Sequence, residues 1–97
     1  MMEEKVAELF PRYRGNTIKI IDYIRNNAGC TMREIADGIG KSDRHLRKNM
    51  KVIVNHHVVF PDRSGPISPK TKKPAIVYFL MSETEQMFEE HGIDYDF

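Results

Sequence analysis

The sequence predicts an α+β domain that is mostly α-helical, with a β-hairpin after the helices. Apolar residues recur at helical spacing through the first half of the chain, and two β-prone runs in the second half flank a proline-rich segment. A chain of 97 residues allows one domain with a modest core. We therefore expect a single domain over residues 1–97, with an N-terminal helix and linker at 1–15, a core at 16–81 and an acidic C-terminal helix at 82–97.

The composition is typical of a folded protein that does not enter membranes. Apolar residues make up 40% of the chain and charged residues 30%, which excludes the disordered and membrane-spanning classes. The longest apolar run, Ala75–Met81, has seven residues, whereas a spanning helix needs about 20. The first residues are acidic, unlike a secretory signal. The single cysteine, Cys30, cannot form an internal disulfide and indicates a reducing compartment, with a disulfide between two chains as the alternative. We therefore expect a cytoplasmic protein without a membrane partner.

The first two predicted helices are amphipathic. Met2–Phe10 ends before Pro11, and its apolar side consists of Val6, Leu9 and Phe10. A second helix, capped by Asn16 or Thr17, is expected to run to about Asn27. Its apolar stripe consists of Ile20, Ile21 and Ile24. The residues expected to lie off this stripe are Lys19, Asp22 and Arg25.

A capping box predicts the start of the third helix. The hydroxyl of Thr31 can accept a hydrogen bond from the backbone N–H of Glu34, whose carboxylate can accept one from the N–H of Thr31. This helix is short because Gly38 and Gly40 follow. Its apolar face consists of Ile35, Ala36 and Ile39.

The fourth predicted helix is apolar on one side and basic on the other. Ser42 or Asp43 caps it, and it is expected to last to about Asn55. Its core-facing residues are Leu46, Met50 and Ile53. Its opposite side carries Arg44, Arg47, Lys48 and Lys51. Two short helices joined by a glycine turn, the second of them basic in front, form the arrangement that places a helix in the major groove of DNA.

Charge is unevenly distributed along the chain, although the net charge is only +1. Residues 41–51 carry a net +4 and residues 52–81 a net +3, whereas residues 1–11 carry −2 and residues 82–97 carry −6. A contiguous basic field is typical of a surface that meets a polyphosphate. Taken alone, a run of charge is also typical of a solvated face.

The second half of the chain predicts a hairpin with a long connection. Val58–Phe60 and Ala75–Leu80 are β-prone runs that pair most simply with each other. The intervening segment, Pro61–Pro74, contains four prolines and Gly65, which exclude a helix. Its basic residues are Arg63, Lys70, Lys72 and Lys73. From the residues alone, a disordered surface loop kept soluble by these bases is the alternative.

Residues 31–50, T-M-R-E-I-A-D-G-I-G-K-S-D-R-H-L-R-K-N-M, resemble the helix-turn-helix of winged-helix transcription regulators of the MarR/ArsR-like superfamily. Ala36 stands where that family needs close helix contact, Gly40 stands at its turn, and Ser42 caps its recognition helix. The order of elements over residues 16–81 extends the resemblance. It implies a winged helix-turn-helix, with a three-helix core plus a β-hairpin wing, here with extra N- and C-terminal helices.

The resemblance also implies sequence-specific binding of double-stranded DNA by a transcription regulator. Its recognition helix, at about residues 42–55, would lie in the major groove, and the wing, residues 61–74, would lie on the backbone or in the minor groove. The implied contacts of the helix are Ser42, Asp43, Arg44, His45, Arg47, Lys48 and Lys51. Those of the wing are Arg63, Lys70, Lys72 and Lys73. Two positions depart from the family pattern, which commonly has an apolar residue at Lys41 and a glycine at His57.

A second capping box, Ser82–Glu85, predicts a last helix that runs to His91, before Gly92. Regulators of this resemblance are usually homodimers, and the terminal helices offer apolar residues for an interface. These are Val6, Leu9, Phe10, Met87 and Phe88. The alternative is that both terminal helices close over the core of a single chain.

Other chemistry is weakly supported by the sequence. Histidines 45, 56, 57 and 91 with Cys30 lack the i, i+4 spacing of a helical metal site, so no metal is predicted. The chain has neither a glycine-rich phosphate loop nor a nucleophile elbow, so we expect no enzyme and no cofactor. Cys30 is either a redox switch or, more simply, a small apolar residue near a turn. The competing function is that of a winged-helix protein-interaction module within a larger complex.

Overall fold

A computed structural model of the chain describes residues 8–13 and 15–90. These residues include the four α-helices and the small antiparallel sheet whose bounds follow. The helices are α1 (Asn16–Asn26), α2 (Met32–Ile39), α3 (Asp43–Asn55) and α4 (Ser82–Glu90). The strands are β1 (Cys30–Thr31), β2 (Val59–Asp62) and β3 (Val77–Leu80). This is the α+β, mostly helical architecture of a winged helix, as the sequence predicts. Most of the predicted helix Met2–Phe10 lies outside the described residues, although Glu8 and Leu9 are helical.

Helix α1 packs its isoleucine stripe into the centre of the core, where Ile20, Ile21 and Ile24 are all fully buried. Two sequence-based predictions about this helix are wrong. The N-cap position is occupied by Gly15 and not by Asn16 or Thr17, so no side chain caps the helix. Arg25 does not face away from the core but is buried, with its Nη2 3.0 Å from Oδ1 of Asp22 and its guanidinium 5.9 Å from the ring centre of Phe88.

Helix α2 begins and ends as its sequence predicts. Both hydrogen bonds of the capping box are present between Thr31 and Glu34. The helix ends at Gly40, whose φ of 80° lies in the left-handed region that glycine adopts most readily. Gly38 is not part of the stop. It lies inside the helix, where an added Cβ would overlap the ring of Tyr23, so glycine is what allows α2 to lie close against α1.

Helix α3 is capped by Ser42, whose hydroxyl accepts a hydrogen bond from the backbone N–H of His45. Its buried residues are Leu46, Met50 and Ile53, as predicted. At the other end, His57 takes the left-handed conformation with φ of 59°. The N–H of His57 donates to the carbonyl of Val54, and that of Val58 donates to the carbonyl of Ile53. This pair of hydrogen bonds is the Schellman motif that usually employs glycine.

The sheet has the strand order β1-β3-β2, with both pairs antiparallel. The predicted hairpin is present, with Val59 opposite Leu80 and Asp62 opposite Val77. The sequence did not predict β1, which pairs Cys30 with Tyr78 immediately before α2 begins. This short strand joins the start of the helix-turn-helix to the hairpin.

The segment 61–74, the wing, is a folded extension of the hairpin. The N–H of Gly65 donates to the carbonyl of Ala75, and the N–H of Ser68 donates to the carbonyl of Lys73. Ile67 and Pro74 form an isolated β-bridge between these two hydrogen bonds. The segment therefore has the paired backbone of a wing. The alternative prediction of a disordered loop is wrong.

The C-terminal helix and the segment before α1 close over the core of one chain. Phe88 and Phe10 are buried, and their rings meet edge to face with centroids 5.9 Å apart. Leu9 and Met87 are half-buried against the same core. These four residues, predicted for a dimer interface, are therefore used within the chain, as in the alternative that the sequence left open. Val6 and His91 lie outside the described residues.

Val58 connects α4 to the end of α3. Its carbonyl oxygen accepts hydrogen bonds from the N–H of Met81 and from the hydroxyl of Thr84, each with 3.0 Å between the bonded atoms. Ser82 is the first residue of α4, and the N–H of Glu85 donates to the carbonyl of Met81. The predicted capping box requires Ser82 to stand just before the helix. Ser82 instead lies inside the helix, so this prediction is wrong. No helix within the described residues is long and apolar enough to cross a membrane.

Candidate nucleic-acid interface

The basic face of α3, defined as Arg44, Arg47, Lys48 and Lys51, is exposed along its length. An α-helix advances about 100° per residue, so these four side chains fall within an arc of about 100°. The buried residues Leu46, Met50 and Ile53 lie on the opposite side. The core thus holds α3 in place by its apolar side and presents the cations to solvent, as the spacing of the sequence predicts.

The N-terminal end of α3 carries polar groups beside the basic face. The hydroxyl oxygen of Ser42 lies 3.3 Å from the backbone nitrogen of His45 and 3.3 Å from its ring Nδ1. Both residues are exposed. Backbone N–H groups at a helix start carry partial positive charge, which favours an anion at this end. Ser42 and His45 are therefore held together at the end of α3 where an approaching phosphate or base edge would be favoured.

Asp43 is the one acidic residue predicted for the interface, and it interacts with the basic face. Its Oδ2 lies 3.6 Å from Nη2 of Arg47, one turn along the helix, with side chains 51% and 73% exposed. An ion pair this exposed is worth less than about 1 kcal/mol. Arg47 can therefore leave Asp43 for a stronger anionic partner at little cost.

The four basic residues of the wing, Arg63, Lys70, Lys72 and Lys73, are also exposed. The turn at the end of the wing is closed by a hydrogen bond of 2.8 Å from the N–H of Lys72 to the carbonyl of Ser68. Lys72 has a φ of 56°, a left-handed conformation that is uncommon for residues other than glycine. Across residues 61–74 the only acidic residue is Asp62, so the wing has a net charge of +3.

A groove connects α3 to the base of the wing. It has a volume of about 420 Å³, and Arg47 and Lys51 line one side while Pro61 and Ile76 line the other. The base of the wing and the basic face of α3 thus flank one surface. Of the residues predicted for the interface, Asp43, Arg47 and Lys51 line this groove, and the four basic residues of the wing do not.

Sequence reasoning missed two cations near this surface. Arg33, in the first turn of α2, and Lys41, in the turn before α3, are both exposed. They line a second groove, of about 320 Å³, together with Ser42 and Asp43. The signal was available, since a basic residue two positions after the cap Thr31 and another beside Ser42 lie close to the two helix starts. The family commonly has an apolar residue at the position of Lys41. Because Lys41 is exposed, its charge stays in solvent and does not enter the core.

A part-buried hydrogen bond joins α3 to α1. The side-chain amide of Asn49 donates to the hydroxyl of Thr17, with 2.7 Å between the atoms, and Thr17 is buried. At the end of α3, the hydroxyl of Tyr13 and Nδ1 of His56 are 2.6 Å apart. Neither contact was predicted, because both join residues that are distant in the sequence.

The remaining candidate chemistry finds little support in the described part of the chain. Within residues 8–13 and 15–90, no three His, Cys, Asp or Glu side chains are grouped so that they could hold a metal ion. Cys30 is buried in β1, and burial raises the pKa of its thiol to about 11. The thiol is therefore protonated at neutral pH, which makes it a poor nucleophile. Burial also raises the pKa of the neighbouring Tyr78.

Comparison with known protein families identifies the same winged-helix fold as the order of helices and strands does. Residues 14–52 match the family described as winged helix-turn-helix DNA-binding. The match covers α1, the helix-turn-helix and most of α3, and the sheet and wing follow it in the chain. It does not single out the MarR/ArsR-like superfamily. No curated protein matches the chain.

Proposed function

We propose that the protein is a regulator of transcription that binds specific sites on double-stranded DNA, because its fold is that of a winged helix and residues 14–52 match a winged helix-turn-helix DNA-binding family. The recognition helix is α3, at about residues 42–55, which enters the major groove. The wing, residues 61–74, lies on the adjacent backbone or in the minor groove. We propose a cytoplasmic location, which the free, buried Cys30 fits.

The observation that carries this proposal is the exposure of every cation on the basic face of α3 while the opposite side of the helix is fully buried. A helix held by its back and basic in front fits the major groove, which is about 12 Å wide. The acidic α4 supports the same orientation. Its exposed Glu83, Glu85, Glu89 and Glu90 would repel DNA, so the duplex approaches elsewhere on the molecule.

Two kinds of contact account for affinity and specificity. Lys48, Lys51 and the bases of the wing neutralise phosphates and release counterions, so affinity falls with salt. Arg44 and Arg47 lie nearer the start of α3, and each can bond to a base edge, most often guanine, for about 1–3 kcal/mol of discrimination. Ser42, Asp43 and His45 lie at the same end of the helix, where they orient or supplement these bonds.

The missed cations extend the phosphate contacts to α2. The first helix of a helix-turn-helix crosses the DNA backbone. Arg33 stands in the first turn of α2, and Lys41 stands beside the cap of α3. We assign both to phosphates that flank the major-groove site.

We also propose that the protein forms homodimers, because the winged-helix regulators that it resembles are usually dimeric. The apolar residues predicted for its interface, Phe10 and Phe88, are buried within one chain, so two copies would associate through other surfaces. One exposed apolar feature is the stacked pair Phe60 and Phe79, with ring centroids 5.4 Å apart and Phe60 38% exposed. Two recognition helices of a dimer would be spaced about 34 Å apart, one turn of DNA.

A direct test is selection of bound duplexes from a random DNA library at low salt, followed by anisotropy titrations of the selected sequence and a scrambled one. We expect enrichment of one sequence and at least a 10³-fold preference for it over the scrambled duplex, as is typical of specific binding. The competing function, a protein-interaction module, predicts no retention of duplex DNA at low salt. Retention without any sequence preference would leave a DNA-binding protein that is not a site-specific regulator.

A further inference from the structure

Among the described residues, the most exposed large apolar side chain lies at the end of the wing. Ile67 is 70% exposed, compared with 41% for Ile76 and 38% for Phe60. An isolated exposed apolar residue needs no explanation by itself. Ile67 is distinguished by the surroundings in which the fold places it.

The backbone on both sides of Ile67 is fixed. Ile67 forms a β-bridge with Pro74, the carbonyl of Pro66 accepts from Ala75 at 2.9 Å, and the N–H of Ser68 donates to Lys73 at 3.0 Å. Pro66 and Pro74 also restrict their own φ angles. The side chain is therefore carried on a stiff support, and little ordering is required when the wing meets a partner.

The charge around Ile67 selects the kind of partner. Arg63 lies four residues before it, Lys70 lies three residues after it, and Lys73 lies beside its bridge partner Pro74. Asp62 is the single acid in the wing. An apolar protein surface gives no compensation for so many cations, whereas the minor groove of DNA has phosphates along both walls and apolar sugar faces between them.

We propose that Ile67 is a specificity-determining residue that enters the minor groove beside the α3 site and disfavours guanine there. This inference rests on the proposed function. Isoleucine is among the apolar side chains that proteins insert into the minor groove. In that groove a G·C pair differs from an A·T pair by the 2-amino group of guanine. An apolar side chain cannot accept a hydrogen bond from this amino group and is displaced by its bulk.

The test uses polymers, so that no operator sequence is needed. Poly(dI-dC) and poly(dG-dC) present the same acceptors in the major groove, but only guanine has the 2-amino group in the minor groove. Each polymer competes with a labelled random duplex in an anisotropy titration at low salt. We expect the wild-type protein to bind poly(dI-dC) roughly three- to tenfold more tightly than poly(dG-dC), a range that corresponds to about 0.7–1.4 kcal/mol.

Two variants make the assignment specific. Ile67→Asn should bring the ratio of the two affinities close to one, and Ile67→Val should preserve it, while Lys73→Gln should weaken binding to both polymers by the same factor. Because Ile67 is exposed, Ile67→Asn should also keep the melting temperature of the wild type. A ratio of one for the wild-type protein, or an unchanged ratio for Ile67→Asn, would overturn the proposal.

The two proposals fail in different ways. If the wild-type protein binds neither polymer nor the random duplex at low salt, the proposed function is wrong. If it binds both polymers equally, the function stands and the role of Ile67 is wrong. A change in sedimentation mass for Ile67→Asn, with an unchanged ratio, would instead assign Ile67 to a contact between copies of the chain.

Discussion

The side-chain amide of Asn49, in the middle of α3, donates a hydrogen bond to the hydroxyl of Thr17 on α1, with 2.7 Å between nitrogen and oxygen. Thr17 is buried and Asn49 is half-buried, on the border between the core and the basic face. The bond therefore adds to the burial of the apolar side of α3 in setting the rotation of the helix, and with it the direction in which Arg47 and Lys48 project.

Removing either partner should destabilise the protein, and to different degrees. Asn49→Ala leaves the buried Thr17 hydroxyl without this partner, so we expect a loss of about 1–2 kcal/mol in the free energy of unfolding. Thr17→Val leaves an amide that can reach water, so the loss should be smaller. A double-mutant cycle in urea should give a coupling energy of about 0.5–1.5 kcal/mol. Additive losses would show that the bond does not contribute to stability.

The basic face should contribute to DNA affinity and little to folding. Arg47→Ala combined with Lys48→Ala should abolish retardation of duplex DNA, because it removes one candidate base contact and one phosphate contact. The melting temperature should hardly change, since both side chains are exposed and the pair of Arg47 with Asp43 is weak.

A charge-matched control for this double variant is Arg12→Ala with Lys19→Ala, two exposed residues outside the proposed surface. It removes the same two formal charges and should retain most of the binding. Equal losses in the two double variants would mean that net charge, and not the face of α3, determines affinity.

The wing should set the salt dependence of binding. Changing Lys70, Lys72 and Lys73 together to glutamine should weaken binding to all duplex sequences and flatten the slope of log affinity against log salt by about 2–3, near 0.9 for each lost phosphate contact. The measurement is a series of anisotropy titrations between low and moderate salt. Shortening the wing between Asp62 and Lys73 should act in the same direction. A slope equal to that of the wild type would exclude the wing from the interface.

The end of α3 offers a stabilising substitution. His57 occupies the left-handed position of the Schellman motif, which costs about 1–2 kcal/mol for a residue with a Cβ. His57→Gly removes this cost but increases the entropy of the unfolded chain, so we expect a net gain of about 0.5–1 kcal/mol. Thermal and urea unfolding would measure it. The matched control, Asn55→Gly, places glycine inside the helix and should destabilise it by a similar amount.

The thiol of Cys30 should be unreactive in the folded protein and should make stability depend on alkaline pH. Its folded-state pKa of about 11 is raised by burial, whereas a free thiol titrates near 8.5, so the folded state holds a proton that the unfolded state loses. The stabilisation is complete below about pH 8.5 and declines as pH rises toward 11. Cys30→Ala should have a flatter profile over this range. Rapid modification of the native thiol by a disulfide reagent at pH 7 would contradict the assignment.

Local signals in the sequence predicted the helix-turn-helix closely. The capping box at Thr31, the stop at Gly40 and the cap at Ser42 each act within a few residues, so spacing alone reveals them. The burial of Leu46 and Met50 follows from helical periodicity for the same reason. The exposure of the basic face was predicted as the opposite side of that pattern.

Tertiary contacts decided what the sequence did not reveal. Arg25 is buried because Asp22 on its own helix and Phe88 on α4 meet it from two directions, and no pattern within α1 indicates the second. Strand β1 is two residues long and exists only because β3 lies beside it. Phe10 and Phe88 looked like an interface between chains because each lies in a short amphipathic segment, yet the two rings pack against each other within one chain.

The hydrogen bonds of the Val58 backbone affect where a tether or a fluorophore should be attached in single-molecule experiments on this protein. Its carbonyl holds Thr84 and Met81, while its own N–H completes the Schellman motif at the end of α3. A tether or fluorophore attached just after Glu90 would therefore transmit force through α4 to the end of the DNA-reading helix. A handle on Lys19 would not avoid this coupling, because its helix α1 is joined to α3 by the hydrogen bond between Thr17 and Asn49.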